Sequence, residues 1–103
     1  AKDLYLSILK HAPQHPETNN NLGLTYRNLN QMKEAINCFK TALKNDENYI
    51  IALNNLAKCQ QEVNLIEESI KNFEKSLKLN PNKKKEIIGI LSCQTIFLLH
   101  LGQ

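Results

Sequence analysis

Residues 19–44 read NNNLGLTYRNLNQMKEAINCFKTALK, and residues 53–78 read LNNLAKCQQEVNLIEESIKNFEKSLK. The second stretch is the first one displaced by 34 positions. Asn20, Asn21, Leu22 and Gly23 return as Asn54, Asn55, Leu56 and Ala57, and Asn30 returns as Asn64. Glu34, Ile36, Phe39, Leu43 and Lys44 return as Glu68, Ile70, Phe73, Leu77 and Lys78. Apolar residues inside each copy recur at spacings of three and four, the period of a helix with one buried face. A unit this short cannot enclose its own apolar face, so a fixed period of this length marks a stack of helical units.

Working outward, the pattern predicts six helices. The first covers about Ala1 to His11, with Leu4, Tyr5, Ile8 and Leu9 on one face. Pro13 and Pro16 lie too close together to sit inside a helix, and Pro16 suits the first helical position, where its missing N–H costs nothing. The second helix covers about Pro16 to Leu29 and directs Leu22, Tyr26 and Leu29 inward; the third covers about Gln31 to Asn45 with Ile36, Phe39 and Leu43 inward. The fourth, about Tyr49 to Val63, presents Leu53, Leu56 and Val63, and the fifth, about Leu65 to Leu79, presents Ile70, Phe73 and Leu77. Asn30 and Asn64 are expected to cap the helices that follow them, with Glu67 completing a capping box after Asn64. Asn80, Pro81 and Asn82 stop the fifth helix. A sixth, from about Lys84 to Leu101, is apolar nearly all round, which implies cover on more than one side.

Helix pairs on this period resemble tetratricopeptide repeats. The residues that carry the resemblance are Asn19, Leu22, Gly23, Tyr26, Ala35, Phe39, Ala42 and Glu47 in one copy. In the next they are Leu53, Leu56, Ala57, Gln60, Ser69, Phe73, Ser76 and Pro81. Three positions depart from the family pattern: Asn19 stands where a bulky residue is usual, Gln60 where an aromatic is usual, and Glu47 where a proline is usual. The resemblance implies an all-α, right-handed superhelical solenoid of antiparallel helix pairs. On this reading 1–15 is the second helix of a preceding repeat, 16–49 and 50–83 are full repeats, and 84–103 is the first helix of a third repeat or a cap. Gly23 and Ala57 are expected to be small because Ala35 and Ser69 of the partner helices pass close to them.

The same resemblance implies a function of holding another protein. In this family the first helix of each pair lines a concave groove. The positions this sequence places there include Asn20, Asn21, Leu24, Arg27 and Asn28, then Asn54, Asn55, Lys58 and Gln61, with Lys85 from the sixth helix. Glu17, Ile51, Glu62, Ile88, Ser92 and Thr95 share that face. An Asn amide both donates and accepts, so it matches a peptide backbone whatever the side chains are. Asn21 and Asn55 occupy equivalent positions and are similar to the asparagine ladder of a family glycosyltransferase that adds single N-acetylglucosamine units. Replacing both with Ala is expected to weaken binding and leave stability unchanged. A second family device, a clamp for a C-terminal carboxylate, is matched only at Asn55 and Lys85. Asn20, Leu24 and Gly89 fill its other positions. A scaffold or adaptor is the reading the residues favour. The alternatives are the substrate-recruiting arm of an enzyme such as that glycosyltransferase, and a structural segment of a large ciliary or cell-cycle assembly.

Composition narrows the rest. The chain has 103 residues, a formal charge of +3, and no Trp. Its basic residues are scattered, which argues against nucleic acid as a partner. No apolar run is long and unbroken enough for a bilayer, since even the C-terminal segment contains Ser92, Gln94 and His100. Cys38, Cys59 and Cys93 form no metal-ligand spacing and read as buried apolar groups of a reducing compartment such as the cytoplasm. His11, His15 and His100 are isolated, and no nucleophile has a base and an acid in a recognisable arrangement. No catalysis, metal or cofactor is expected, and the open ends of such a stack permit self-association. The chain opens on Ala1 and is read as a fragment of a larger protein.

Overall fold

The computed structural model describes residues 2–13 and 15–80. Five helices are present among them and no strand: α1 Lys2–His11, α2 Pro16–Asn28, α3 Met32–Asn45, α4 Ile50–Glu62 and α5 Ile66–Leu79. The sixth helix expected from Lys84, with Lys85, Ile88, Ser92 and Thr95, lies outside the described residues. Residues 29–31 join α2 to α3, and residues 63–65 join α4 to α5. Connections this short oblige the two helices of each pair to lie side by side and antiparallel.

Two asparagines close those connections by a different device from the one expected. Asn30 and Asn64 have φ of 60° and 66°, the left-handed region. The Asn30 N–H donates to Arg27 O at 2.9 Å and the Gln31 N–H to Tyr26 O at 2.8 Å. In the second pair the Asn64 N–H donates to Gln61 O at 3.1 Å and the Leu65 N–H to Gln60 O at 2.7 Å. Both are Schellman endings, with Asn one residue beyond the C-cap. Asn30 and Asn64 therefore terminate α2 and α4 and do not start α3 and α5. The N-caps of those helices are Gln31 and Leu65, with no side-chain cap bond, so the expected capping box at Glu67 does not form. The early stop also turns Leu29 and Val63 outward, at 53% and 38% exposure, where an inward position was expected.

Pro16 does occupy the first turn of α2, and His15 caps it: the Thr18 N–H donates to His15 Nδ1 at 3.1 Å. That bond satisfies one of the orphan donors at the helix start. Asn19, in the bulky position of the repeat, is buried and donates through Nδ2 to Pro13 O and His15 O, both at 3.1 Å. It locks the α1–α2 connection by hydrogen bonds where a bulky residue would act by packing. Gln60, in the aromatic position, is likewise buried, and its Oε1 accepts from Asn72 Nδ2 at 2.7 Å. The turn that lacks a proline at Glu47 is formed by Asp46, whose Oδ1 accepts from the Asn48 N–H at 3.3 Å.

The core runs between the pairs. Phe39 and Phe73 are fully buried, as are Ala35, Ala42, Ser69 and Ser76 on the same helices and Ala52 and Ala57 on α4. Phe39 shares one cluster with Ala35, Leu56 and Cys59, so a single ring joins α3 to the following pair. Gly23 faces the partner helix α3 as expected, and the nearest group on it is Phe39: a Cβ at Gly23 would lie 2.5 Å from Phe39 Cε1 and 2.8 Å from Cδ1. The aromatic ring fills the space an alanine would need. In the second pair Ala57 also meets the partner helix, where Ser69 Oγ donates to Ala57 O at 2.8 Å. Helix α1 differs from the expectation for its inward face. None of its residues is buried; Tyr5 and Leu9 are half-buried, while Leu4, Leu6 and Ile8 are 63%, 43% and 39% exposed.

Candidate functional site

Helices α2 and α4 stand next to each other as the first members of successive pairs, and the candidate residues fall on them. The structure brings four of those side chains into two cross-links. Asn55 Nδ2 donates to Asn20 Oδ1 at 3.0 Å, and Arg27 Nη2 donates to Glu62 Oε1. Each link spans 35 residues, one more than the repeat. The hydrogen bond to Glu62 raises the already high pKa of Arg27, so the guanidinium stays charged.

Of the two asparagines expected to form ladder rungs, Asn55 thus spends its amide N–H on Asn20. Asn20 is 3% exposed, and its carbonyl is taken up by this bond. Asn21 is half-buried, and among the described residues no group hydrogen-bonds its amide. Leu24 packs against the cluster that holds Phe39 and Cys59. Asn28 is exposed, and Lys58 and Gln61 are half-exposed with no side-chain partner among the described residues. Asn54 sits one period after Asn20, but its buried Oδ1 has no hydrogen-bond partner there. The residue one period after Asn55 is Gly89, which has no side chain to offer. Lys85 lies outside the described residues.

The thiols are held as neutral packing groups. Burial pushes Cys59 up to about 11, with Arg27 opposing, and burial followed by the Glu34 charge pushes Cys38 up to about 11. Among the described residues no group of three His, Cys, Asp or Glu side chains is arranged to hold a metal. No helix among them is long and apolar enough to cross a membrane. A shallow hollow of about 300 Å³ lies elsewhere, lined by Lys33, Ile36, Asn37, Val63 and Leu65, and contains none of the expected groove residues.

A stack of antiparallel helix pairs, cross-braced along its first helices, defines a helical-repeat solenoid. The chain belongs to the tetratricopeptide repeat family, whose sequence profile matches residues 16–49 and again residues 50–83. The fold class is accordingly all-α, the right-handed superhelical solenoid of that family. Solved structures are similar over most of the chain. The first TPR of Spaghetti (RPAP3) bound to the HSP90 peptide SRMEEVD aligns with a TM-score of 0.79 at 23% identity, over 86% of this chain and 73% of that one. The TPR2B-domain:pHsp70-complex of yeast Sti1 aligns with 0.80 at 21% identity, over 87% and 76%. The NMR structure of the first TPR domain of human RPAP3 aligns with 0.81 at 22% identity, over 100% and 82%. At these identities the likeness establishes the fold. A comparison with curated proteins finds no match.

Proposed function

We propose that this chain is a protein-interaction module that holds a peptide or helix of a partner protein against the face built by α2 and α4. The observation that carries the reading is the division of labour on that face. Asn20–Asn55 and Arg27–Glu62 brace the two helices, while Asn21, Asn28, Lys58 and Gln61 keep uncommitted polar groups. A braced face loses little ordering entropy when a ligand arrives, and its free amides match a peptide backbone in both directions. Two of the similar structures are complexes with an HSP90 peptide and with pHsp70, which supports a peptide ligand for this fold. The carboxylate clamp of the family is not part of the proposal, because Asn20 is spent on Asn55 and Leu24 on the core.

The test is a pull-down with the whole chain, wild type beside Asn21→Ala, read by mass spectrometry. A partner lost from the variant with its melting temperature intact places recognition on α2 and α4. Partners retained equally by both reject that face. Asn55→Ala is a poorer probe than the sequence suggested, because it also strands Asn20.

A further inference from the structure

The connection between α4 and α5 carries a leucine that the helix start does not use. Leu65 is the N-cap of α5, makes no side-chain cap bond, and is 42% exposed. Leucine is among the poorest residues for that position. It is also the wall shared by two hollows. One, of about 300 Å³, is mainly apolar, with Ile36 and Val63 in its lining and Lys33 beside them. The other, of about 320 Å³, is polar and has Glu67 and Glu68 in its lining. Lys33 belongs only to the first hollow and the two glutamates only to the second, so the surface runs from a cation, across the Leu65 ridge, to two anions. All three charges are exposed, and none takes part in Arg27–Glu62, the one ion pair among the described residues. The repeat does not demand this stripe. One period earlier the residues equivalent to Ile36 and Leu65 are Lys2 and Gln31, and Lys2 Nζ lies over the Tyr26 ring, 5.7 Å from its centroid.

A surface with a cation on one side of an apolar ridge and anions on the other is complementary to itself after half a turn. A two-fold axis beside Leu65 sets the leucine of each copy into the apolar hollow of the other. The same rotation carries Glu67 and Glu68 of each copy toward the Lys33 that lines that hollow. We propose that this chain pairs with a second copy of itself across this stripe. Leu65 and Val63, 42% and 38% exposed in the single chain, supply the apolar contact. The charges fix its orientation, since a parallel arrangement would set like charges together. Two shallow hollows make a small interface, so the dimer is a weak, exchanging one. The stripe is a lateral surface, separate from the open ends of the solenoid, and it contains none of the expected groove residues. Pairing therefore leaves the α2–α4 face uncovered and puts two such faces in one particle.

The experiment is sedimentation equilibrium of the whole chain from about 10 μM to about 1 mM, the range in which a small interface associates. The wild type should pass from monomer to dimer. Leu65→Ser, which also suits an N-cap, should stay monomeric with its melting temperature kept. Lys33→Glu, and separately Glu67→Lys/Glu68→Lys, should each weaken the dimer by about two- to fivefold, the scale of exposed charge pairs. The variant that combines all three changes restores opposite charges across the axis and should recover the dimer. These charged positions are exposed, so they test the stripe even where Leu65→Ser lowers stability. A wild type that stays monomeric throughout overturns the proposal. So does a dimer that survives in Leu65→Ser, which would place association on another surface such as the open face of α1. A combined variant no better than its parents overturns the two-fold arrangement. None of these outcomes bears on the α2–α4 groove, which the pull-down decides separately.

Discussion

Asn55 donates its side-chain amide to the carbonyl of Asn20 at 3.0 Å, tying the first helix of one repeat to the first helix of the next. Asn20 is buried, so loss of its partner leaves an acceptor without water. Asn55→Ala should lower stability by about 1–2 kcal/mol, the usual cost of stranding a buried polar group. A double-mutant cycle with Asn20→Ala, followed by urea denaturation, should return a coupling of about 1 kcal/mol. Additive effects would mean the bond contributes nothing.

Gly23 tests whether helix propensity or packing dominates. Alanine in place of a helical glycine gains roughly 0.5–1 kcal/mol from the backbone. Against this, the new Cβ would sit 2.5 Å from a ring that is itself fully buried and hemmed in. Overpacking of that kind costs about 1–3 kcal/mol. Gly23→Ala is therefore expected to destabilise by roughly 1–2 kcal/mol. An unchanged or raised melting temperature would show that Phe39 repacks freely.

Ser76 should behave in the opposite sense. Its Oγ is buried with no hydrogen-bond partner among the described residues, and Ala42 fills the equivalent place one repeat earlier. Ser76→Ala should stabilise the protein by about 1 kcal/mol, since an unsatisfied hydroxyl is removed at almost constant volume. Ser69, also fully buried, has a partner in Ala57 O at 2.8 Å, and Ser69→Ala should not stabilise. Thermal melts of the two variants, measured together, check both signs.

The two thiols give a pH dependence with a definite sign. Cys38 and Cys59 are both raised from 9.0 to about 11, chiefly by burial. The folded state thus holds these protons more tightly than the unfolded state. Their contribution is complete below pH 9 and is lost as pH rises through about 11. Alkylation with iodoacetamide at pH 8, mapped peptide by peptide, should be slow at both sites in the folded protein. It should become fast in urea. Rapid modification of Cys59 under native conditions would contradict its burial.

The repeat, the helices and the pairing were legible because they depend on local periodicity. Phe39 and Phe73 were readable as core from spacing alone, and both are fully buried. Helix ends were legible only to within a residue, and the role of Asn30 and Asn64 was not. An asparagine near a helix boundary suits an N-cap by its side chain and a left-handed terminator by its backbone. The choice depends on φ, which sequence does not display. Asn19 and Gln60 were legible only as departures from the family pattern, because the hydrogen-bond partners that explain them lie on a connecting segment and on another helix.

By itself the sequence determined that this chain is a stack of helix pairs on a 34-residue period, and which faces of those helices are polar. Only the tertiary structure decided how the polar face is used. The cross-links join residues 35 positions apart, so a reader counting equal repeat positions matches Asn21 with Asn55 and misses Asn20. In both links a side chain of α2 meets the residue of α4 one step beyond its own equivalent. Which side chains meet between repeats depends on how the helices pack, as Phe39 of α3 packs with Leu56 and Cys59 of α4, a matter of volume and contact that no spacing rule encodes.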